Sequence, residues 1–404
     1  MATLSERILG AAAGTYIDRD VDRMYAHDGT GIQTKIVWDK FGGRGIKNPY
    51  KVYIIFDHNT PANTSEVATL QHELRDFCKE QQVHFSDAGG GICHQYMAEG
   101  HVAPGEVIVG ADSHSCTLGA FGAFATGVGA SDMAGLWALG ETWFRVPESI
   151  GIHLHGNLSH FAEAKDVALW YVGKLGMDGA TYQALEFIGE GCAGLGMSER
   201  MTLTNMAIEA GAKTGLFYAD KVTEAYMAQY GTYCKQQEPE ECVYSRELDI
   251  VLDDMIPVLA VPHRVDSVVP VHEHADTELD QVFIGTCTNG RYEDLQRVAT
   301  ILKGEKVSVR TIIAPASRRV YQQALRTGVI DTLIDAGCIL VPPGCAACLG
   351  NHQGVLGKGE IGLSTANRNF KNRMGVDASY FLSSVTTAAV SAMLGVIADP
   401  MEVL

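Results

Sequence analysis

The chain has 404 residues, enough for two to four domains at the usual 100–200 residues each. Its 48 acidic against 31 basic side chains leave a formal charge of −17, which argues against a general nucleic-acid binder, because such binding rests on Lys and Arg displacing counterions. Hydrophobic residues at 46% and charged residues at 20% exclude a disordered chain and fit substantial cores. Glycine, at 44 residues, is about 11% of the chain against a usual level of about 7%, an excess that needs a structural use.

The first residues, Met1-Ala-Thr-Leu-Ser-Glu-Arg7, lack the basic stretch and apolar core of a secretory signal, so a cytoplasmic location is expected. Residues 51–56 read as a buried strand, 63–81 as an amphipathic helix entered through Asn63-Thr64-Ser65-Glu66, and 106–110 as another strand. Strand, helix, strand at this spacing implies a layered α/β domain over 1–150. Residues 119–140 are the most membrane-like, but they are Gly- and Ala-rich and hold Asp132, so closely packed backbone is expected and no membrane partner. A second domain is expected over 151–275, with helices at 166–175 and 199–211 and a solvated acidic loop at 236–241. The Pro- and Val-rich segment 261–274 reads as an extended connector between domains. Strands at 281–285, 307–314 and 339–341, separated by helical segments, define a third α/β domain over 276–404.

Polar clusters follow several of these strands. Gly285-Thr-Cys287-Thr-Asn-Gly-Arg291 and Pro342-Pro-Gly-Cys345-Ala-Ala-Cys348-Leu-Gly350 each come directly after one. Ten cysteines in a reducing compartment suggest buried thiols plus a metal-binding or catalytic subset. On residues alone, an iron–sulfur cluster, a zinc site, a redox pair and plain buried thiols all remain open for Cys287, Cys345 and Cys348. Three thiolates rather than four would leave one iron of a [4Fe–4S] cluster with an open coordination position, suited as a Lewis acid to elimination of water. Asn367, Arg368 and Arg373 suggest capture of an acidic substrate, since guanidinium groups pair with carboxylates bidentately. In the first domain His27-Asp28, Asp57-His58, His94 after a Gly-rich turn, and Asp112-Ser113-His114 place carboxylates beside imidazoles, as acid–base catalysis needs. Two of these groups sit directly after expected strands, where open α/β sheets bind ligands.

Together these motifs resemble the aconitase family, and within it the two-subunit branch of 3-isopropylmalate dehydratase and homoaconitase large subunits. The resemblance runs through AHDGTG at His27, FDHNTPANT at Asp57, GGGICHQ at His94, VGADSHSCTLGAFGAFATGVGASDMA at Asp112, ERMTLTNMAIEAGAKTG at Asn205, FIGTCTNGR at Cys287, PPGCAACLGNHQG at Cys345 and STANRNFKNRMG at Arg368. It implies three layered α/β/α domains around a central [4Fe–4S] cluster, without the family's swivelling fourth domain. The implied activity is a hydro-lyase acting on a hydroxy dicarboxylate, with 3-isopropylmalate dehydratase of leucine biosynthesis as the main expectation and homoaconitase or 2,3-dimethylmalate dehydratase as alternatives. By residue match, Cys287, Cys345 and Cys348 would hold one cluster per large subunit. Asp57 with His58, His94, and Asp112 with His114 would form the acid side, joined by Glu209. His27, Ser113, Asn205, Asn367, Arg368 and Arg373 would contact substrate or the cluster region. A separate small subunit would supply the base, in a heterodimer or heterotetramer. The CAAC loop, where relatives in leucine biosynthesis more often have CGPC, and Asn351 in place of a more usual Gly weaken the substrate assignment. From another functional class, a cluster-sensing RNA-binding regulator is opposed by the charge of −17.

Overall fold

The computed structural model describes residues 2–404. The chain divides into two compact units, one formed by the residues up to His155 together with Ala180–Ile250, the other by Gly156–Gly179 and Val251–Leu404.

In the first unit, five parallel strands stand in the order His84–Ser86, Val52–Ile55, Arg23–His27, Val107–Gly110, Phe124–Gly127. Val52–Ile55 and Val107–Gly110 are buried along their whole length, which explains their unbroken apolar runs: helices cover both faces of a parallel sheet. The helix Ser65–Gln81 starts at Thr64, whose side chain accepts the Val67 N–H, and it buries Leu74, Phe77 and Cys78. Phe77 stacks on Trp137 of the helix Ala130–Leu139, and Trp137 meets Trp38 edge-on. From Arg23–His27 the chain builds outward on one side and then crosses to Val107–Gly110 on the other. The strand order therefore reverses beside Arg23–His27, and the polar clusters at His27, Asp57-His58 and Asp112-Ser113-His114 all leave strand C-termini at this switch point.

A four-stranded sheet completes this unit, in the order Thr214–Phe217, Ala184–Ile188, Ser149–His155, Arg246–Val251, the first three parallel. The tight helical segment Ser113–Phe121 lies on its first strand, and the approach is backbone on backbone. A Cβ on Gly119 would sit 1.7 Å from the Gly215 carbonyl oxygen. Close packing in the 119–140 region is thus present as expected, and the glycine excess has one of its uses there.

The second unit is built on seven strands in the order Val268–Pro270, Val258–Ala260, Ser379–Leu382, Ile361–Ser364, Gln281–Ile284, Arg310–Ile313, Ile339–Leu340. The last five are parallel and the first two antiparallel. Segment 261–274 is therefore not a free connector: Val268–Pro270 pairs with Val258–Ala260 and extends the sheet edge. Prolines suit such an edge, where a missing N–H costs no ladder bond. The boundaries expected at 150/151 and 275/276 also differ from the units found. The strands of 149–251 stay with the first unit, whereas the helix Ala164–Leu175 belongs to the second. The sheet order of this unit reverses between Gln281–Ile284 and Ile361–Ser364. Cys287 and Asn367 follow those two strands, so the same positional rule selects them. Among the described residues no helix is long and apolar enough to cross a membrane.

Candidate active site

The acid–base group of the first unit is centred on Asp112. Its Oδ1 lies 3.0 Å from His94 Nε2, accepts the His114 backbone N–H at 2.7 Å and stands 3.6 Å from His114 Nδ1. Its Oδ2 faces His27 Nε2 at 3.7 Å and His58 Nε2 at 3.8 Å. Burial pushes this carboxyl up, but His94 and the hydrogen bonds from His114 outweigh it and hold Asp112 well below the usual carboxylate range. One carboxylate thus addresses four imidazoles.

Each imidazole has a second partner that sets its orientation. His58 Nδ1 bonds Asp57 Oδ1 at 2.6 Å, and Asp57 is itself fixed by accepting the Cys93 N–H at 2.7 Å. His27 Nδ1 accepts the Gly29 N–H at 3.1 Å, so its Nε2 carries the ring proton toward Asp112, and its ring stacks on His58 with centroids 3.6 Å apart. His114 Nε2 meets Glu209 Oε1 at 2.8 Å, while Ser113 Oγ lies 3.3 Å from its Nδ1. The expected partnership of Asp112 with His114 is therefore redistributed: the imidazole closest to Asp112 is that of His94, and His114 uses Glu209. Asn205 donates to Thr117 Oγ1 at 2.7 Å, so the turn carrying Asn205 and Glu209 faces the segment Ser113–Phe121.

Beneath this group lies Asp28, which is fully buried. Its carboxylate accepts the backbone N–H groups of Asp57, His58 and Asn59 at 3.3, 2.8 and 2.8 Å, and the Gln71 amide at 3.3 Å. The turn that presents Asp57 and His58 is thus wrapped around one anion. Donor atoms of His27, Asp28, Asp57 and His58 lie within 4.8 Å of one another, but both carboxylates are already occupied by these bonds. Burial raises the Asp28 carboxyl, and the His27 and His58 side chains and the backbone bonds hold it far below its ordinary value. Asp28→Asn is expected to lower the unfolding free energy by about 2–3 kcal/mol at neutral pH, because an amide offers one acceptor where a carboxylate offers two. Since the folded carboxyl ionises below the unfolded one, the wild-type advantage is complete above about pH 4 and shrinks as pH falls further. Urea melts of both proteins from pH 7 to pH 3 measure it.

The second unit carries the thiol group. Cys287, Cys345 and Cys348 are buried, at 9, 7 and 7% exposure. Asn367 joins two of them, its Nδ2 lying 3.2 Å from Cys287 Sγ and its Oδ1 3.7 Å from Cys348 Sγ. Arg373 Nη2 approaches Cys348 Sγ at 4.0 Å. The backbone is strained at these loops: Thr286, just before Cys287, has φ +73°, and Ala346, just after Cys345, has φ +45°. A β-branched residue in that region persists only where its surroundings impose it. Arg291 does so for one loop, donating to the carbonyls of Cys287 and Thr288.

Lys165 fixes the other side of the same group. It is fully buried, and its Nζ donates to the carbonyls of Thr365 and Ala366 at 2.6 and 2.7 Å, immediately before Asn367. Burial pushes this ammonium down to about 8, against the pull of Cys287, Asp166, Asp294 and Cys348. Lys165→Met would leave two buried carbonyls without their donor and is expected to destabilise the chain by about 2–4 kcal/mol, read by thermal or urea unfolding.

Residues 5–395 match the aconitase family (aconitate hydratase). The chain belongs to the aconitase family. It is 49% identical to the "Probable methanogen homoaconitase large subunit" of Methanosarcina mazei over 95% of this chain and 99% of that one. It is 46% identical to the "3-isopropylmalate dehydratase large subunit 1" of Methanopyrus kandleri, over 100% and 99% of the two chains. Among solved structures, aconitase X of Thermococcus kodakaraensis is similar in fold, with TM-score 0.55 and 12% identity over 87% of this chain and 84% of that one.

In this aconitase-family chain the expected residues fall into the two groups just described. His27, Asp57, His58, His94, Asp112, Ser113, His114, Asn205 and Glu209 meet in the first unit, and Cys287, Cys345, Cys348, Asn367 and Arg373 in the second. Arg368 is half-buried on the same loop as Asn367, and its carbonyl accepts the Tyr380 hydroxyl. Sequence reasoning missed Tyr25, whose hydroxyl lies 2.8 Å from His94 Nδ1, and Lys165. Tyr25 reads as one more apolar residue in a buried strand, and Lys165 as the solvated face of a helix.

Proposed function

We propose that this chain is the large subunit of a hydro-lyase that dehydrates and rehydrates a hydroxy dicarboxylate, with 3-isopropylmalate dehydratase as the main reading. The observation that carries it is the Asp112 network: four imidazoles around one carboxylate whose pKa is held down. That arrangement sets imidazole N–H groups beside a fixed anion, which is what protonating a leaving hydroxyl requires. Asp57 orients His58 and Glu209 orients His114, so neither ring turns away when it gains or loses its proton. Ser113, and the guanidinium groups of Arg368 and Arg373, would bind substrate carboxylates.

Relatives in the aconitase family generally bind a [4Fe–4S] cluster, and the residues present here fit one. The three thiols are buried, two of them share one Asn amide, backbone with positive φ lies beside Cys287 and Cys345, and Arg291 holds the Cys287 loop through the Cys287 and Thr288 carbonyls. Cys287, Cys345 and Cys348 would hold the cluster, which when bound by three thiolates supplies an iron with an open position and hence a Lewis acid for hydroxyl and carboxylate oxygens. Asn367 would donate its amide N–H to the Cys287 thiolate sulfur. All ten cysteines are free thiols, which supports a reducing compartment and a cytoplasmic enzyme.

Relatives named as large subunits support a small-subunit partner that supplies the proton-abstracting base. The homoaconitase reading has its own support in the 49% identity to the Methanosarcina mazei chain. Co-expression with a small subunit, anaerobic purification and assay on isopropylmalate and homoaconitate, compared by kcat/KM, decides between them. The large chain alone is expected to be inactive; full turnover without any partner overturns the two-subunit reading, and no turnover of either acid by the assembled pair overturns the activity.

A further inference from the structure

We propose that Tyr25 is a positioning residue for the reaction, giving His94 a hydrogen-bond partner in both of its protonation states. This rests on the hydro-lyase reading above. Tyr25 and His94 are both buried, and the Tyr25 hydroxyl lies 2.8 Å from His94 Nδ1. The opposite ring nitrogen, Nε2, faces Asp112 Oδ1 at 3.0 Å. A carboxylate only accepts, so Nε2 carries a proton toward it and the neutral ring presents a bare Nδ1 lone pair to the phenol.

The phenol can answer that lone pair, and it can also answer an Nδ1–H. Its second polar neighbour is the Ser115 hydroxyl, which packs beside the phenol against Gly110. Ser115 Oγ donates its own proton to the Asp112 carbonyl at 2.7 Å, which leaves the oxygen as an acceptor for Tyr25. When His94 is neutral, the Tyr25 O–H donates to Nδ1. When His94 is cationic, Nδ1–H donates to the phenol oxygen and the Tyr25 O–H turns to Ser115. No proton is transferred through Tyr25; one hydroxyl rotates. The strand residue Gly110 makes this possible, because a Cβ there would lie 2.1 Å from Ser115 Oγ and 2.5 Å from Tyr25 Cζ.

Without this partner, a protonated His94 would bury an N–H facing only the weak sulfur acceptor of Cys93, and a proton donor in a closed site would be reluctant to take up its proton. The ionisable groups facing the ring are Asp112, His114 with its ring centroid 6.4 Å away, Cys93 beside it in the chain with Sγ at 3.8 Å, and Tyr25; Cys116 stands near the phenol. Besides Tyr25 only the Cys93 sulfur among them reaches Nδ1, at 3.8 Å, and a thiol sulfur is a far weaker acceptor than a phenol oxygen at 2.8 Å.

The test is a pH titration of the full chain labelled with [15N]histidine, the His94 signals being assigned by their absence in His94→Gln. Tyr25→Phe is expected to move the protonation midpoint of His94 down by about one pH unit or more, the size of a lost hydrogen bond to a charged group, and to shift the Nδ1 resonance of the neutral ring. Ser115→Ala is expected to move the midpoint in the same direction while leaving the neutral-ring Nδ1 resonance as in the wild type. In the assembled enzyme, the acid limb of the kcat profile should follow the Tyr25→Phe midpoint at unchanged KM. A midpoint common to wild type and Tyr25→Phe overturns the proposal, as does a displaced midpoint with an unmoved kcat profile. The titration needs no turnover, so absence of hydro-lyase activity would sink the functional reading while the hydrogen-bond assignment is still decided by the resonances.

Discussion

Asp112→Asn is expected to lower kcat of the assembled enzyme by about 10³-fold with little change in KM, in line with the 10²–10⁴ typical of acid–base groups. The carboxylate accepts from the His94 ring and the His114 backbone through Oδ1 and faces His27 and His58 through Oδ2. An Asn amide keeps one acceptor and turns a donor toward the other side. If its oxygen stays on His94 and His114, its N–H₂ confronts His27, whose Nε2 is already protonated because its Nδ1 accepts the Gly29 N–H. If the amide flips, the clash moves to His94. Either way at least one imidazole is forced into a different tautomer or orientation, and substrate binding through other groups is spared. Steady-state kinetics at matched cluster content measures the effect. Retention of kcat within tenfold would mean that the network is structural.

Much of the frame of this site is legible in the sequence, and most of its long-range pairings are not. The strand Val52–Ile55 and the helix Ser65–Gln81 can be read from an apolar run and from a Thr cap, because both signals are local. The rule that ligands lie beyond strand C-termini then points to Asp57, Asp112 and Cys287 without any tertiary information. Adjacent letters give the partner at Asp57-His58 but only part of it at Asp112-Ser113-His114. Asp112 and His114 look like a pair, yet a short turn carries the His114 ring to Glu209, 95 residues away, and brings in His94 from a separate helix. The two compact units cut across the expected boundaries for the same reason. Helix Ala164–Leu175 is tied to the second unit by Asp166 accepting the Val258 N–H and by Glu163 accepting those of Val385 and Thr386, contacts 92 to 223 residues apart. Lys165 illustrates the limit: within Ala-Lys-Asp it looks solvated, and only the carbonyls of Thr365 and Ala366 make its burial tolerable.

Serine at Cys287, Cys345 or Cys348 is expected to abolish turnover, by more than about 10³-fold, together with the broad visible absorbance of bound iron and sulfide. Ser matches Cys closely in size, so the buried positions stay filled and the apo-chain should fold with little loss of stability. The strained residues Thr286 and Ala346 sharpen the expectation, since αL backbone at non-glycine positions beside two of the thiols is a cost that plain core packing gives no reason to keep. Asn367→Ala separates holding the sulfurs from orienting them. Its amide touches two sulfurs and leaves all three thiols in place, so bound iron should be retained but weakened, with a loss of about 10–100-fold in metal affinity or activity, as for other groups that orient ligands. Iron and acid-labile sulfide per chain, circular dichroism and kcat, measured on the same anaerobic preparations, distinguish the cases. A Cys345→Ser chain with wild-type iron and full activity would remove that thiol from the ligand set, and a Ser variant that unfolds would return the three cysteines to an ordinary structural role.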